Sequence, residues 1–242
     1  MELKNKFEVS PTRILHCGAH EAEELESYTE ANFAPKGVVW IEADSNLANK
    51  LKIRFQNSIH QVIEAALWSV SHQEMKFHLT SNSQSSSLLE LGNHLENFPD
   101  IVEIDTVSIS SRCVDDFLPA LHGVDFINLD IQGAELEALK GAETFLSQIK
   151  WIYTEVNKGE VYLGCAKIWE LDEFLKPHGF TRVATRWSFK DDFGDALYSK
   201  NRFFFRSLRF QLNCSFKSLL TLTRYSLHTL KFKLRLAAHK SK

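Results

Sequence analysis

Asp130, Glu135 and Glu155 stand at or just past the ends of apolar runs in the second half of the chain, and His16 and His20 flank a lone glycine, Gly18, near its start. Carboxylates and imidazoles in such places suit proton transfer, where a positioned base contributes roughly 10²- to 10⁴-fold. An unperturbed imidazole also titrates near neutral pH, at about 6.5. Asp130 is the first candidate for a base, for orienting an acceptor or for touching a cofactor. His20 competes with it, the alternative being a ring that packs or hydrogen-bonds beside a cofactor. His16 lies inside an apolar run, which favours a structural place. Glu135 opens a helical stretch, where the helix dipole alone favours a carboxylate by about 0.3–1 kcal/mol. Converging, Asp130, Glu135 and Glu155 would suit a divalent cation, but no ligand spacing marks them. None of Cys17, Cys113, Cys165 and Cys214 makes a CxxC pair, so no metal is assigned.

The turn ILHCGAH suits a cofactor. Gly18 lets backbone approach a ligand, small Ala19 keeps that approach open, and the helix that follows offers free N–H groups. Glu42 and Ala43 end the next apolar run, where a carboxylate can accept two hydrogen bonds from a ribose diol. Gly18 alone is equally well explained by tight packing of a strand–helix turn; with Glu42 the pair points to a nucleoside-containing cofactor. A pyrophosphate would need G-x-G-x-x-G, whereas this turn has one glycine and an acid-rich helix. S-adenosylmethionine, which has no phosphate and carries a sulfonium cation, suits it better. Glu64 and Ala65 fall where an adenine would be read. Ser85, Ser86 and Ser87 in the loop SNSQSSS would bind acceptor hydroxyls or simply be solvated; His78 and His94 flank that loop.

These residues need a scaffold, and the apolar runs supply one. Arg13–Ala19, Gly37–Ala43, His60–Leu67, Val124–Ile131 and Trp151–Val156 read as strands. Helical stretches Glu21–Asn32, Asn46–Phe55 (with Ser45 as N-cap), Ala134–Ile149 and Ile168–His178 lie among them. The βαβαβ rhythm predicts an α/β, mostly parallel, doubly wound sheet. Phe180–Trp187 and Asp195–Ser199 would form a closing antiparallel pair, Glu74–Thr80 and Ile104–Ile109 two further strands, and Cys113–Leu121 a short helix.

The 242 residues carry a net charge of −3 that hides a division: residues 1–199 hold 17 basic and 31 acidic residues, and residues 200–242 hold 11 basic and none acidic. The acidic body does not look like a nucleic-acid reader. No apolar run nears the ~20 residues of a membrane span, and the N-terminus has no signal-like apolar core. A cytoplasmic place is expected, at most peripheral to the inner face of the membrane. The split predicts a domain over 1–200 and a basic amphipathic helical extension over 201–242. In that extension Phe216, Leu220, Leu227, Leu230 and Leu234 form a stripe beside Lys217, Arg224, Lys231 and Arg235. The stripe over 206–242 would lie on an anionic membrane or pack against the acidic body or a second copy in a homodimer.

Three stretches resemble the FkbM-type S-adenosylmethionine-dependent methyltransferases: ILHCGAHEAEELESY with VVWIEADSNLANKL; SNSQSSSLLE; and DFINLDIQGAELEALKGAETFL followed by WIYTEVN. The ending GDALY also fits, and the likeness covers roughly residues 10–200. Gln132 replaces a usual glutamate, His16 stands where many members have aspartate, and Ala22 where a second glycine is common. The resemblance implies a Rossmann-like methyltransferase fold and methyl transfer from S-adenosylmethionine to a hydroxyl of a carbohydrate, glycan or related small polyhydroxylated acceptor. A contact set of His16, Gly18, Ala19, His20, Glu42, Ala43, Glu64, Ala65 and Asp130 for the cofactor is expected. Asp130, His20 and Glu135 would serve catalysis, and Ser85, Ser86, Ser87 and Glu155 the acceptor. The rivals are a non-catalytic scaffold docking through its tail and a nicotinamide-dependent oxidoreductase, which the missing glycines disfavour.

Overall fold

Strands β1 (Ile14–Cys17), β2 (Val38–Glu42) and β7 (Phe126–Leu129) have no exposed residue in the computed structural model, which describes residues 7–93, 98–188 and 192–200. Burial on both faces is what a parallel strand between two helical layers requires, and it explains runs such as VVWIE and FINL that do not alternate. With β3 (Gln61–Glu64), β8 (Trp151–Asn157), β9 (Thr181–Trp187) and β10 (Phe193–Ser199) they form one sheet of order β3-β2-β1-β7-β8-β10-β9. The first five strands in that order run parallel, and β10 lies antiparallel between β8 and β9. The chain therefore has the doubly wound, mostly parallel sheet with an antiparallel closing strand.

Alternate residues of each strand feed two cores. Ile14, Val38, Trp40, Phe126 and Trp151 pack against helices α1 (Glu24–Glu30) and α2 (Ser45–Phe55). Leu15, Cys17, Val39, Ile41 and Ile127 pack against α3 (Glu135–Lys140) and α4 (Ile168–Leu175). A second sheet, ordered β4-β6-β5, is built from β4 (Ala66–Leu67), β5 (Glu74–Thr80) and β6 (Glu103–Arg112).

Several expected elements change. The run His60–Leu67 is two strands, β3 and β4, and β4 leaves the main sheet to pair with β6. Asp44, not Ser45, caps α2: its Oδ1 accepts from Asn46 N at 2.7 Å and Leu47 N at 3.1 Å. The expected helix Ala134–Ile149 stops after Lys140 and resumes as a 3₁₀ turn, Phe145–Gln148. At the break, Gly141 passes so near Trp68 that a Cβ would lie 2.3 Å from its carbonyl oxygen. The Asp115 carboxylate then takes the Thr144 and Phe145 N–H groups, each at 2.9 Å. Cys113–Leu121 keeps only the 3₁₀ turn Val114–Phe117. The polar loop is folded too: Ser83–Ser85 is a 3₁₀ turn, and Ser85 and Ser87 are buried. The basic extension over 201–242, and His94, lie outside the described residues. Among the described residues, no helix is long and apolar enough to cross a membrane.

Candidate functional site

The parallel strands end on one side of the sheet in loops that cannot all be regular. Past β1, Gly18 has φ +84°, His20 +43° and Ala22 +57°; past β7, Gln132 has +56° and Gly133 +99°. Left-handed non-glycine residues are strained and gather where a site must be held. Gly18 is dictated by the protein itself: a Cβ there would lie 1.8 Å from the Asp130 carbonyl oxygen. The turn reading of this glycine thus holds, and the close approach brings the β1 and β7 loops together. Ala22 takes the left-handed geometry that favours glycine at its position.

Two open cavities meet over these loops. The first is lined by Gly18, Ile41, Ala43, Ala65, Leu67 and Phe77, with the Glu42 carboxylate in its wall. The second is lined by Glu23, Glu24, Ser85, Glu155 and Tyr162, with Phe98 and Phe193 as its aromatic wall. Those two rings have centroids 6.3 Å apart. Gly18, His20, Gln84, Asp130 and Gln132 line both. No lysine or arginine lines either cavity among the described residues.

Glu42 is fixed by its neighbours. Oε2 accepts from His20 N at 2.7 Å and Oε1 from Asp44 N at 2.8 Å. Burial raises its pKa, and those backbone hydrogen bonds work against the rise. Each oxygen keeps a lone pair. Asp130 Oδ1 accepts from Gln132 Nε2 at 2.5 Å, and Gln132 Oε1 accepts from the Tyr162 hydroxyl at 2.5 Å. The same Gln132 amide reaches Glu155 Oε2 at 3.4 Å. Burial, together with the neighbouring acids, raises the pKa of both carboxyls, that of Glu155 well above the usual range. His20 Nδ1 lies 2.6 Å from Glu23 Oε1, and Nε2 lies 2.8 Å from Ser83 Oγ.

Other expected site residues lie elsewhere. His16 is buried beneath the site, its Nδ1 2.9 Å from the Tyr28 hydroxyl. Asn128 Nδ2 donates to that hydroxyl at 2.7 Å, so the hydroxyl proton is left for His16. Burial pushes the His16 pKa down to about 4, and the ring is a neutral tie between β1 and α1. Ala19 is fully buried in the core on that face and lines neither cavity. Glu64 faces away from both, bound by Ser45 Oγ at 2.6 Å and Lys52 Nζ at 2.7 Å. Glu135 turns inward: Oε1 accepts from Gly133 N at 3.1 Å and Ile131 N at 3.2 Å, which staples the Gln132 turn. Burial pushes its pKa up to about 7. Its charge still acts on Asp130 and Glu155, but the backbone claims its carboxylate and it lines neither cavity. Among the described residues no group of three or more His, Cys, Asp or Glu side chains is arranged to hold a metal ion. Ser86 lines the first cavity and Ser85 the second, while Ser87 Oγ donates to the Gln132 carbonyl at 2.7 Å. His78 is buried against Glu103.

Sequence reading did not single out Glu23, Ser83, Gln84, Tyr162, Phe98 or Phe193 as site residues. Glu23 was one acid among several in its segment, and Tyr162, in a loop, and Phe193, at the start of β10, reach the site from segments distant in sequence. Only the departure at Gln132 carried a signal.

Comparison with known proteins places this architecture. The methyltransferase FkbM domain matches residues 16–182. Over 82 residues, 33% of this chain and 34% of the relative, the chain is 32% identical to the 2-O-methyltransferase NoeI of Sinorhizobium fredii. The crystal structure of methyltransferase FkbM from Methylobacillus flagellatus KT superposes with a TM-score of 0.52 at 18% identity, covering 78% of this chain and 43% of that one. The chain thus spans about a third of the curated relative's length and less than half of the solved protein's. With its sheet order, its β1 turn and that match over more than half of its length, the chain belongs to the FkbM methyltransferase family, whose methyl donor is S-adenosylmethionine.

Proposed function

We propose that this chain binds S-adenosylmethionine in the first cavity and transfers its methyl group to a hydroxyl of a carbohydrate, glycan or related small polyhydroxylated acceptor in the second. The observation that carries this is the shared wall of Gly18, His20, Asp130 and Gln132, across which two ligands could meet. It lies at the carboxyl ends of the parallel strands, where open α/β sheets take their ligands.

The residues of the first cavity fit the cofactor. Ile41, Ala43, Ala65, Leu67 and Phe77 offer apolar surface and, at the two alanines, room for a flat base. Glu42 is immobilised by two backbone N–H groups, yet has lone pairs left for a ribose diol. Carboxylates without lysine or arginine suit a cation and repel a pyrophosphate, which disfavours a nicotinamide dinucleotide. When bound, the cofactor supplies an electrophilic methyl group on a good leaving group. What remains for the protein is alignment, removal of one proton and exclusion of water. His20 and Asp130 both reach the shared wall and could take that proton. In the second cavity Gln84, Ser85, Tyr162 and Glu155 present donors and acceptors for a polyol, and Phe98 and Phe193 give its C–H faces an apolar wall. The curated relative is a 2-O-methyltransferase by name, which supports oxygen as the atom methylated.

The deciding experiment is calorimetric titration of the purified chain with S-adenosylmethionine, S-adenosylhomocysteine and NAD, followed by labelled methyl transfer to a panel of neutral sugars. Micromolar binding of the first two, none of NAD, and label in a sugar are expected. Failure to bind either sulfur compound would sink the assignment. Label on an amine or a carbon in place of a hydroxyl would sink the oxygen.

A further inference from the structure

Three side chains from two segments stand in line across the two cavities: Glu23 lines the second, His20 both, and Ser83 the first. Glu23, at the entry to α1, holds His20 Nδ1 at 2.6 Å; His20, in the β1 loop, places Nε2 2.8 Å from the hydroxyl of Ser83, in the 3₁₀ turn after β5. Carboxylate, imidazole and hydroxyl in that order are the parts of a proton-abstracting relay, recognised by geometry and not by sequence position. We propose that His20 Nε2 is the general base for the acceptor hydroxyl and that Glu23 is the residue positioning it. The inference rests on the methyl-transfer reading above and assigns the proton that reading left between two residues.

The arrangement is held at every joint but one. His20 has its backbone pinned by Glu42 in a left-handed conformation that is costly without support. Glu23 is held from two further sides: Oε1 accepts from Gln84 Nε2 and Oε2 from Glu21 N, each at 3.2 Å. Partial burial pushes its pKa up, but the hydrogen bonds from His20, its own backbone and Gln84 outweigh this, so it stays ionised and acceptor-only. A neutral His20 must then carry its proton on Nδ1 and leave Nε2 bare. The exchangeable joint is Ser83, an exposed residue in a three-residue turn. Asp130 is less free, since its Oδ1 is capped by Gln132, which Tyr162 holds in turn.

The step balances. A lone pair on the acceptor oxygen forms the new O–CH₃ bond, and the C–S bond breaks with its pair left on sulfur, which loses its positive charge. The hydroxyl proton moves to Nε2, where the imidazolium faces the Glu23 carboxylate.

The test is two-bond ¹H–¹⁵N spectroscopy of the full chain labelled at histidine nitrogen, with His20 assigned from His20→Gln. Wild type is expected to show neutral His20 protonated on Nδ1 in most molecules. Glu23→Leu removes the acceptor at Nδ1 and should let the proton pass to Nε2, the wrong tautomer for a base. Ser83→Ala should leave the wild-type tautomer, because Glu23 sets it. A wild-type ring protonated on Nε2, or an unchanged tautomer in Glu23→Leu, would overturn the relay. S-adenosylhomocysteine is titrated into the same samples. Binding without the tautomer preference defeats this inference alone; the preference without binding defeats the methyl-transfer reading and the base role with it.

Discussion

Gln132 is the residue on which the cleft turns. Its amide lies between Asp130 and Glu155 and its carbonyl receives Tyr162, so a neutral donor stands between two acids. Gln132→Glu would place a third carboxylate against two acids whose charged forms the site already disfavours. Its stability should fall by about 1–3 kcal/mol at pH 8 and recover at pH 5, where the added group is protonated. Urea unfolding at the two pH values checks this; equal losses at both would mean that the amide is a spacer only. Glu135 gives a second pH signal. Burial raises its folded pKa to about 7, above its unfolded value of 4.5, so the folded chain keeps a proton that the unfolded chain loses between those values. The stability this confers is complete below 4.5 and is lost as pH rises through about 7. Wild type minus Glu135→Gln should therefore decline by on the order of 3 kcal/mol across that window. A flat difference would show that Gly133 and Ile131 hold the group ionised throughout.

At the scale of elements, the break after α3 separates two ways of reasoning. Helix propensity favours alanine over glycine by about 1 kcal/mol, and the pattern ELEALKGAETFL invites Gly141→Ala as a stabilising change. The fold reverses that sign, because a Cβ at 141 would stand 2.3 Å from the Trp68 carbonyl, a backbone atom joined to the strand that leaves the main sheet. Gly141→Ala should lower the melting temperature by several degrees, on the order of 2 kcal/mol. A rise would show that the 65–70 segment yields. The two loops past β1 and β7 form the other informative pair of elements. They carry His20 and Gln132 in left-handed geometry and are fastened by Glu42 and Glu135, acids whose main work in the protein is to bind backbone N–H groups.

At the scale of the molecule, the described body is closed off at its end. Lys200 donates through Nζ to the Leu146 and Ser147 carbonyls and through its backbone to Lys150, and its ammonium lies 4.8 Å from the Phe180 ring. We propose that the basic extension over 201–242 has its own role and is not needed to hold the body folded. A chain ended at Arg202 should melt within about 3 °C of the full chain and bind S-adenosylhomocysteine within about twofold. Loss of folding would make the basic segment part of the body. Comparing the two chains by sedimentation with anionic vesicles then reads out the amphipathic stripe. Equal pelleting would remove the membrane role. The sequence by itself determined the order and kind of the main strands, the parallel sheet with its closing strand, and the placing of Asp130, Glu42 and His20 at strand ends. Those follow from apolar period and from one glycine turn, which are local. It also marked Gln132 as unusual. Only the tertiary structure decided which acids face the cleft. Asp130 and Glu155 remain in it, Glu135 is taken by two amides and Glu64 by a lysine, and His16 is sunk under α1, while Glu23, Ser83 and Tyr162 arrive from segments with no local mark. A carboxylate's role depends on which donors the fold brings within about 3 Å, and those donors come from distant parts of the chain.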